Sequence, residues 1–415
     1  MSPFSYQDGV LGAESVPLTT IADAVGTPCF VYSRAALTDA FNAYARAFAD
    51  TQPLVCYAAK ANSNIAILDL FARLGSGFDI VSGGELARVL AAGGSPDRVV
   101  FSGVGKSEAE MRFALEHGIL CFNVESSSEL ERLNRVAGQI SKVAPVSFRV
   151  NPDVDSGTHP YISTGLKENK FGIPHGDALA VYLRAQRLSH VRIVGIDCHI
   201  GSQITQLAPY VDALDRILDL VIRLEMLGIE LEHIDLGGGI GIRYRDEQPL
   251  ALPAYARAIR DRMAGRRERL ILEPGRSLVG NGGLLLTRVE YLKHSAAKHF
   301  AVVDAAMNDL MRPALYDAYH AVLPVREHAT AAPDVYDVVG PVCESGDFLA
   351  RDRLLALAEG DLLAVRAAGA YGFVMSSNYN SRPRACEVVV DGDRVHLSRP
   401  REHVEDLFAR ESLLP

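Results

Sequence analysis

The sequence predicts a (β/α)8 barrel of the TIM type joined to a second, mostly antiparallel β domain. Three observations predict it. Short apolar runs alternate with helix-patterned stretches eight times between residues 54 and 273, the signature of parallel strands with helical crossovers. Chemically capable residues follow the C-terminal ends of those runs, where barrels gather their chemistry. Beyond about residue 280 the helical spacing gives way to alternating, turn-separated stretches. A doubly wound open sheet is the structural rival for the first part.

The eight runs are Leu54–Ala58, Phe78–Val81, Val99–Ser102, Leu120–Val124, Val146–Val150, Ile193–His199, His233–Leu236 and Leu270–Glu273. Between them Ser82–Ala92, Ser107–His117 and Ser127–Val136 carry helix-type apolar spacing. Ser126 or Ser127 ahead of Glu129 marks a helix start. Further on, Leu284–Tyr291, Phe300–Val303, Asp337–Val339, Leu362–Ala367, Glu387–Val390 and Arg394–Leu397 read as strands, with Asp391-Gly392 as a hairpin turn. Phe30-Val31-Tyr32 is expected to join that domain. The expected division is therefore a barrel over residues 34–280 and a β domain built from 1–33 and 281–415.

At 415 residues, 48% of them apolar, the chain is long enough for two cores. Net charge is −9, from 42 basic and 51 acidic residues. The signs are interspersed, which argues against nucleic acid as a partner. No apolar run approaches the roughly 18 residues of a membrane span, and the first residues lack a signal-peptide pattern, so a soluble, cytoplasmic protein is expected. The six cysteines lie far apart without a C-x-x-C pair, and no metal site is expected. Cys56, Cys121 and Cys198 lie in apolar runs and read as core fillers. Cys343 differs, lying in the turn-rich stretch Gly340-Pro341-Val342-Cys343-Glu344-Ser345-Gly346-Asp347.

The strand ends supply Lys60, Asp79, Ser102, Glu125, Asn151, His199, the triplet Gly237-Gly238-Gly239, and Glu273 with Arg276. Lys60 follows a buried-strand pattern. Partial desolvation there favours the free amine, a nucleophile able to form a Schiff base with an aldehyde cofactor. Taken alone it is more often a solvated loop lysine. The glycine triplet follows the seventh strand and Glu273-Pro274-Gly275-Arg276 the eighth, the two loops that often hold phosphate in barrels; a tight turn is the plainer explanation. His199 is either a satisfied core residue or a flat ring that stacks on an aromatic cofactor. Ser202 offers a hydroxyl donor to phosphate. Glu273 either pairs with Arg276 or sits beside a pyridine nitrogen, where a carboxylate favours the protonated, electron-withdrawing ring.

Together these stretches resemble the fold-type III pyridoxal-phosphate decarboxylases, in the branch that acts on meso-diaminopimelate. The resemblance runs from Phe30 to Leu407. Its most specific stretches are YAAKANSN (57–64), NPDVDSGTHPYISTGLKENKFGI (151–173), CHIGSQIT (198–205), DLGGG (235–239), EPGRSLV (273–279), MNDLMRPALYDAYH (307–320), GPVCESGDFLA (340–350) and GAYGFVMSSNYNSRPRA (369–385). Ala59 stands where a valine is expected, with no consequence for any role.

The resemblance implies the following roles. Lys60 bears pyridoxal 5′-phosphate covalently, with Asp79 among the cofactor contacts, and His199 stacks on its ring. Gly238, Ser202 and the backbone of Glu273, Pro274, Gly275 and Arg276 hold the phosphate, and Glu273 also reaches the pyridine nitrogen. Arg276, Arg312, Tyr316 and Glu344 bind substrate, Tyr371 touches both cofactor and substrate, and Cys343 is the general acid. Cys343 and Glu344 reach the partner subunit's site, so the active unit is a homodimer.

The implied substrate is a small diamino dicarboxylic acid. Arginine forks suit its distal carboxylate and Glu344 its ammonium. A site built to hydrogen-bond a group discriminates against analogues lacking it by roughly 10⁴–10⁵, so ornithine and lysine are expected to be poor substrates. Competing readings are a decarboxylase of ornithine, arginine or carboxynorspermidine on the same scaffold, an amino-acid racemase, and a cofactor-binding relative without turnover. Release of carbon dioxide separates the decarboxylases from the other two.

Overall fold

The computed structural model describes residues 3–154, 170–327 and 332–415. By its internal contacts the chain forms two units: Ala40–Ile242 with Gln248–Ser277, and Met1–Asp39 with Arg243–Glu247 and Leu278–Pro415.

The first unit is a closed barrel. Its eight strands are Leu54–Ala58, Gly77–Ile80, Val99–Phe101, Cys121–Val124, Ala144–Asn151, Val191–Asp197, His233–Asp235 and Arg269–Leu272. Each pairs in parallel with the next. The eighth pairs with the first through Ile271↔Leu54, which closes the ring and excludes the open sheet. A short ninth strand, Ile173–Pro174, adds to the fifth.

Local chemistry sets the helix starts. Ser82, Ser107 and Ser126 each accept the backbone N–H of a glutamate three residues on, at Glu85, Glu110 and Glu129. At Ser107 the glutamate reciprocates, completing a capping box. Loss of such a cap costs about 1 kcal/mol.

Inside the barrel the side chains change character along the strands. Leu54, Cys56, Val100, Cys121, Val194 and Ile271 form one apolar cluster. Burial pushes the Cys56, Cys121 and Cys198 thiols well up, as befits inert fillers. Gly195 lets the sixth strand pass the buried His233 imidazole, because a Cβ there would lie 2.1 Å from its Nε2. The alternation then delivers polar groups: Asp79, Asn123, Arg149, Asp197, Asp235 and Glu273 are all buried.

The second unit is organised on the long strand Gly283–His294. It pairs antiparallel with Cys29–Ser33, His299–Val303 and Leu362–Val365. Two pairings are parallel, Cys29–Ser33 with Cys386–Asp391 and His299–Val303 with Asp334–Val339, so the sheet is mixed. Phe30-Val31-Tyr32 is an internal part of it. One apolar core unites Phe4, Leu11, Leu18, Ile21, Val31, Leu284, Leu286, Val388 and Val390, each large side chain contributing about 1.5–3 kcal/mol by burial.

Two sets of strands here had no clear sequence signal. Phe348–Leu355 pairs antiparallel with Asp334–Val339; its Arg351-Asp352-Arg353 centre breaks the apolar alternation, and Asp352 adopts a positive φ of 53°. Phe4–Gln7, Val10–Ala13 and Val16–Pro17 form a small sheet of strands too short for a period-2 pattern to register.

Candidate active site

The C-terminal ends of the barrel strands bring most of the expected residues together. Lys60 lies in a single 3-10 turn, Ala59–Ala61, immediately after the first strand. Its ammonium forms an ion pair with Asp79 on the second strand. Asp79 is fully buried while the lysine side chain is about one-third exposed, so the carboxylate holds the amine at the mouth of the barrel.

The loop after the eighth strand is tied to its neighbours by backbone contacts. Pro274 O accepts from Ala58 N at 3.1 Å, and Glu273 N donates to Gly237 O at 2.7 Å. Gly275 lies against the methyls of Ala58 and Ala61, both 3.1 Å from where its Cβ would be. A Cβ on Gly238 would come within 2.1 Å of Glu273 O, and one on Gly239 within 2.3 Å of Gly201 O. The triplet therefore lets three loops approach backbone to backbone.

The side chains complete this set. Arg276 Nη2 donates to Ser202 Oγ at 3.0 Å. Gly238 N donates to His199 Nδ1 at 3.2 Å, which makes that ring nitrogen an acceptor. Burial, with the charges of Arg149 and Lys60, holds His199 well below the usual imidazole range, so the ring is neutral.

Beneath these residues lies a carboxyl cluster that the sequence reading did not single out in full. Ligand oxygens of Asp197, Asp235 and Glu273 lie within 4.8 Å of one another. Burial and the Asp235 charge push Glu273 well up, and the same two causes push Asp197 well up. Burial raises Asp235 to about 7. Like charges this close do not all ionise, so the cluster stores protons at neutral pH. Asn123 Nδ2 reaches Glu273 Oε1 at 3.4 Å. Glu125 accepts from Gly103 N, Arg149 Nη1 and Gly172 N. Asp197 and Asp235 end the sixth and seventh strands and are partners in register; their place two residues before His199 and Gly237 is the signal available in the sequence.

The remaining expected residues lie in the second unit. Arg312 opens the short helix Arg312–Tyr316 and is buried; Tyr316 is half-buried. Cys343 is exposed, as is Glu344 beside it. Their turn is pinned by Asp347, which accepts from Met307 N at 2.6 Å and Val342 N at 2.8 Å. Cys343 N donates to Asn380 Oδ1 at 2.8 Å. Tyr371 is held at a positive φ of 56°, a conformation uncommon outside glycine and concentrated at functional sites. Most of the stretch 151–173 lies outside the described residues.

A buried carboxyl cluster, a neutral ring, a paired lysine and a Gly-lined loop are the parts a barrel needs to hold an aldehyde-bearing phosphorylated pyridine. The chain belongs to the pyridoxal-dependent decarboxylases, whose pyridoxal-binding domain matches residues 34–280. Within that class it is similar to diaminopimelate decarboxylases. It is 64% identical to the diaminopimelate decarboxylase of Pseudomonas aeruginosa, over the whole of both chains. The diaminopimelate decarboxylase of Helicobacter pylori, solved with L-lysine, superposes with a TM-score of 0.92 at 43% identity, covering 95% of this chain and 99% of that one. That of M. jannaschii, also solved with L-lysine, gives 0.94 at 39%, covering 99% and 98%. The cofactor of this family is pyridoxal phosphate, and the residues present fit it. Asp79 Oδ1, Asp197 Oδ1 and Asp235 Oδ2 are buried acceptors without a hydrogen-bond partner among the described residues, as expected of a pocket floor that serves a cationic group.

Proposed function

We propose that the chain decarboxylates meso-2,6-diaminopimelate to L-lysine and carbon dioxide, the last step of lysine synthesis, as a cytoplasmic homodimer. The observation that carries this reading is the convergence of Lys60–Asp79, His199, the Gly237–Gly239 triplet and the 273–276 loop on one end of the barrel. When bound, the cofactor supplies an electron sink for the pair left behind by the departing carboxylate.

The protein's part is to hold, orient and protonate. Lys60 provides the covalent attachment and Asp79 aims it. His199, neutral, would stack on the cofactor ring. Gly238, Ser202 and the 273–276 backbone would hold the phosphate, and Glu273 would serve the ring nitrogen, where a carboxylate keeps a cation charged. Arg276 and Arg312 fork the carboxylate of the non-reacting end, Glu344 pairs with its ammonium, and Tyr316 and Tyr371 line the substrate. Cys343 Sγ gives its proton to the carbon that has lost carbon dioxide. In the dimer Cys343 and Glu344 serve the other subunit's site.

The test is incubation with meso-diaminopimelate, with and without added pyridoxal phosphate, measuring carbon dioxide and lysine together. Equimolar release of both, dependent on cofactor, is expected. Comparable kcat/KM for ornithine would overturn the substrate assignment, and an inverted stereocentre without gas would indicate racemisation.

A further inference from the structure

Arg312 is held from two directions by residues of its own unit. Its Nη1 donates to His320 Nε2 at 2.9 Å. The guanidinium carbon lies over the Tyr244 ring, 4.7 Å from the centroid. Tyr244 in turn meets the His320 ring edge-on, with centroids 5.4 Å apart and planes at 78°. Tyr244 comes from Arg243–Glu247, the stretch after the glycine triplet that groups with the second unit.

The tautomer of His320 follows from its other nitrogen. His320 is wholly buried, and its Nδ1 lies 2.8 Å from Arg366 O. A carbonyl oxygen only accepts, so Nδ1 carries the proton and Nε2 presents a lone pair. That lone pair receives the Arg312 N–H. A carboxylate in this place would orient the guanidinium equally well but would also cancel its charge. An imidazole lone pair fixes the direction and supplies no negative charge of its own.

We propose that His320 is a positioning residue that sets the plane of the Arg312 guanidinium and thereby the enzyme's selectivity for substrates with a distal carboxylate. The proposal rests on the assignment of Arg312 to that carboxylate. The Tyr244 ring packs against the guanidinium and His320 accepts its N–H, so the arginine meets the ligand already ordered. Preorganisation of this kind contributes through binding rather than through the chemical step.

Two substitutions in the holoenzyme separate the two contacts of the imidazole. His320→Asn keeps an N–H near the position of Nδ1, facing Arg366 O, and removes the acceptor for Arg312. His320→Gln keeps an acceptor near the position of Nε2. L-lysine and cadaverine serve as probes, because the product retains the distal carboxylate and cadaverine has none.

For His320→Asn, KM for meso-diaminopimelate rises about tenfold with kcat within about twofold, as loss of a hydrogen bond to a charged group predicts. Inhibition by L-lysine weakens about tenfold while that by cadaverine is unchanged. His320→Gln stays within about threefold of the parent in all of these. A parallel shift of every constant in both variants, together with lowered melting temperature, indicates a merely structural histidine and overturns the proposal. Arg312→Lys is the control for the underlying assignment. If it leaves the L-lysine-to-cadaverine ratio unchanged, the role given to Arg312 fails. If it collapses the ratio and His320→Asn does not, the role given to His320 fails.

Discussion

The barrel mouth and the turn at residues 340–347 treat ionisable groups in opposite ways. At the mouth, Asp79, Asp197, Asp235 and Glu273 are buried and held by strands on every side. In the turn, Cys343 and Glu344 are exposed, and only the backbone beneath them is fixed, through Asp347 and Asn380. The difference matches the work proposed for each. Groups that hold a cofactor benefit from burial, which fixes their position and strengthens their electrostatic interactions. A group that delivers a proton once per turnover must be reprotonated from water.

The largest effect is expected at the mouth. Lys60→Ala should lower kcat by on the order of 10³-fold or more, since a nucleophile and its covalent attachment are both lost. The visible absorbance of the holoenzyme should disappear. Retention of that absorbance would place the attachment elsewhere and remove the basis for the contrast.

Next in size is the turn. Cys343→Ala should lower kcat by about 10²–10⁴, the usual contribution of a positioned general acid. Because the side chain is exposed in the single chain, the unfolding free energy of the isolated subunit should move by no more than about 0.5 kcal/mol. Mixing the Lys60→Ala and Cys343→Ala proteins under conditions of subunit exchange should restore part of the activity, since one site of each hybrid then has both residues. No recovery despite demonstrated exchange would mean that each site draws both residues from one chain.

The two regions also differ in how legible they were in the sequence. Strand ends marked Lys60, Asp79, His199 and Glu273, because a parallel barrel presents its chemistry at one end of each strand. The expected sixth and seventh strands run on to His199 and Leu236, past the observed ends at Asp197 and Asp235, so the same rule passes over both aspartates. Their importance comes from meeting one another across the sixth and seventh strands, a pairing that spacing along the chain does not reveal. In the second unit no such rule operates. Cys343 stands out by its turn-rich surroundings, Arg312 and Tyr371 only through the family resemblance, and His320 and Tyr244 not at all. The Arg312–His320 bond is eight residues apart in sequence and looks like nothing in a linear pattern. Strand Phe348–Leu355 escaped for a related reason, its charged centre being tolerated because Arg351 and Asp352 are exposed and the half-buried Arg353 lies over the Tyr319 ring.

Glycines sharpen the comparison at smaller magnitude. A Cβ on Gly238 meets the Glu273 carbonyl at 2.1 Å, backbone against backbone, whereas one on Gly346 finds nothing nearer than Glu344 Cγ at 4.0 Å. Gly238→Ala should cost about 1–3 kcal/mol of stability through forced backbone shifts. Since the displaced loop is the proposed phosphate cradle, cofactor Kd should also rise about tenfold or more by equilibrium titration. Gly346→Ala should change stability by less than about 0.5 kcal/mol. Equal tolerance at both positions would show the triplet to be an ordinary turn.

The smallest effect concerns the stored protons. Asp235 is wholly buried. Its Oδ1 accepts from Gly237 N at 2.8 Å, and its Oδ2 has no partner among the described residues. Burial raises its carboxyl from 3.8 to about 7, with the Asp79 charge acting in the same direction. A carboxyl raised on folding binds a proton in the native state at pH values where the unfolded chain has released it. Stability is therefore greatest below the unfolded value and falls as pH climbs from about 4 to about 7, with a limiting slope of about 1.4 kcal/mol per pH unit for one proton. Asp235→Asn keeps the acceptor for Gly237 N and has no proton to lose. The apoprotein's melting temperature should thus decline less between pH 5 and pH 8 in the variant than in the parent. Some decline should persist, because Asp197 and Glu273 are raised in the same direction. An unchanged slope would mean that Asp235 is ionised throughout and adds its negative charge to the mouth of the barrel before any cofactor arrives.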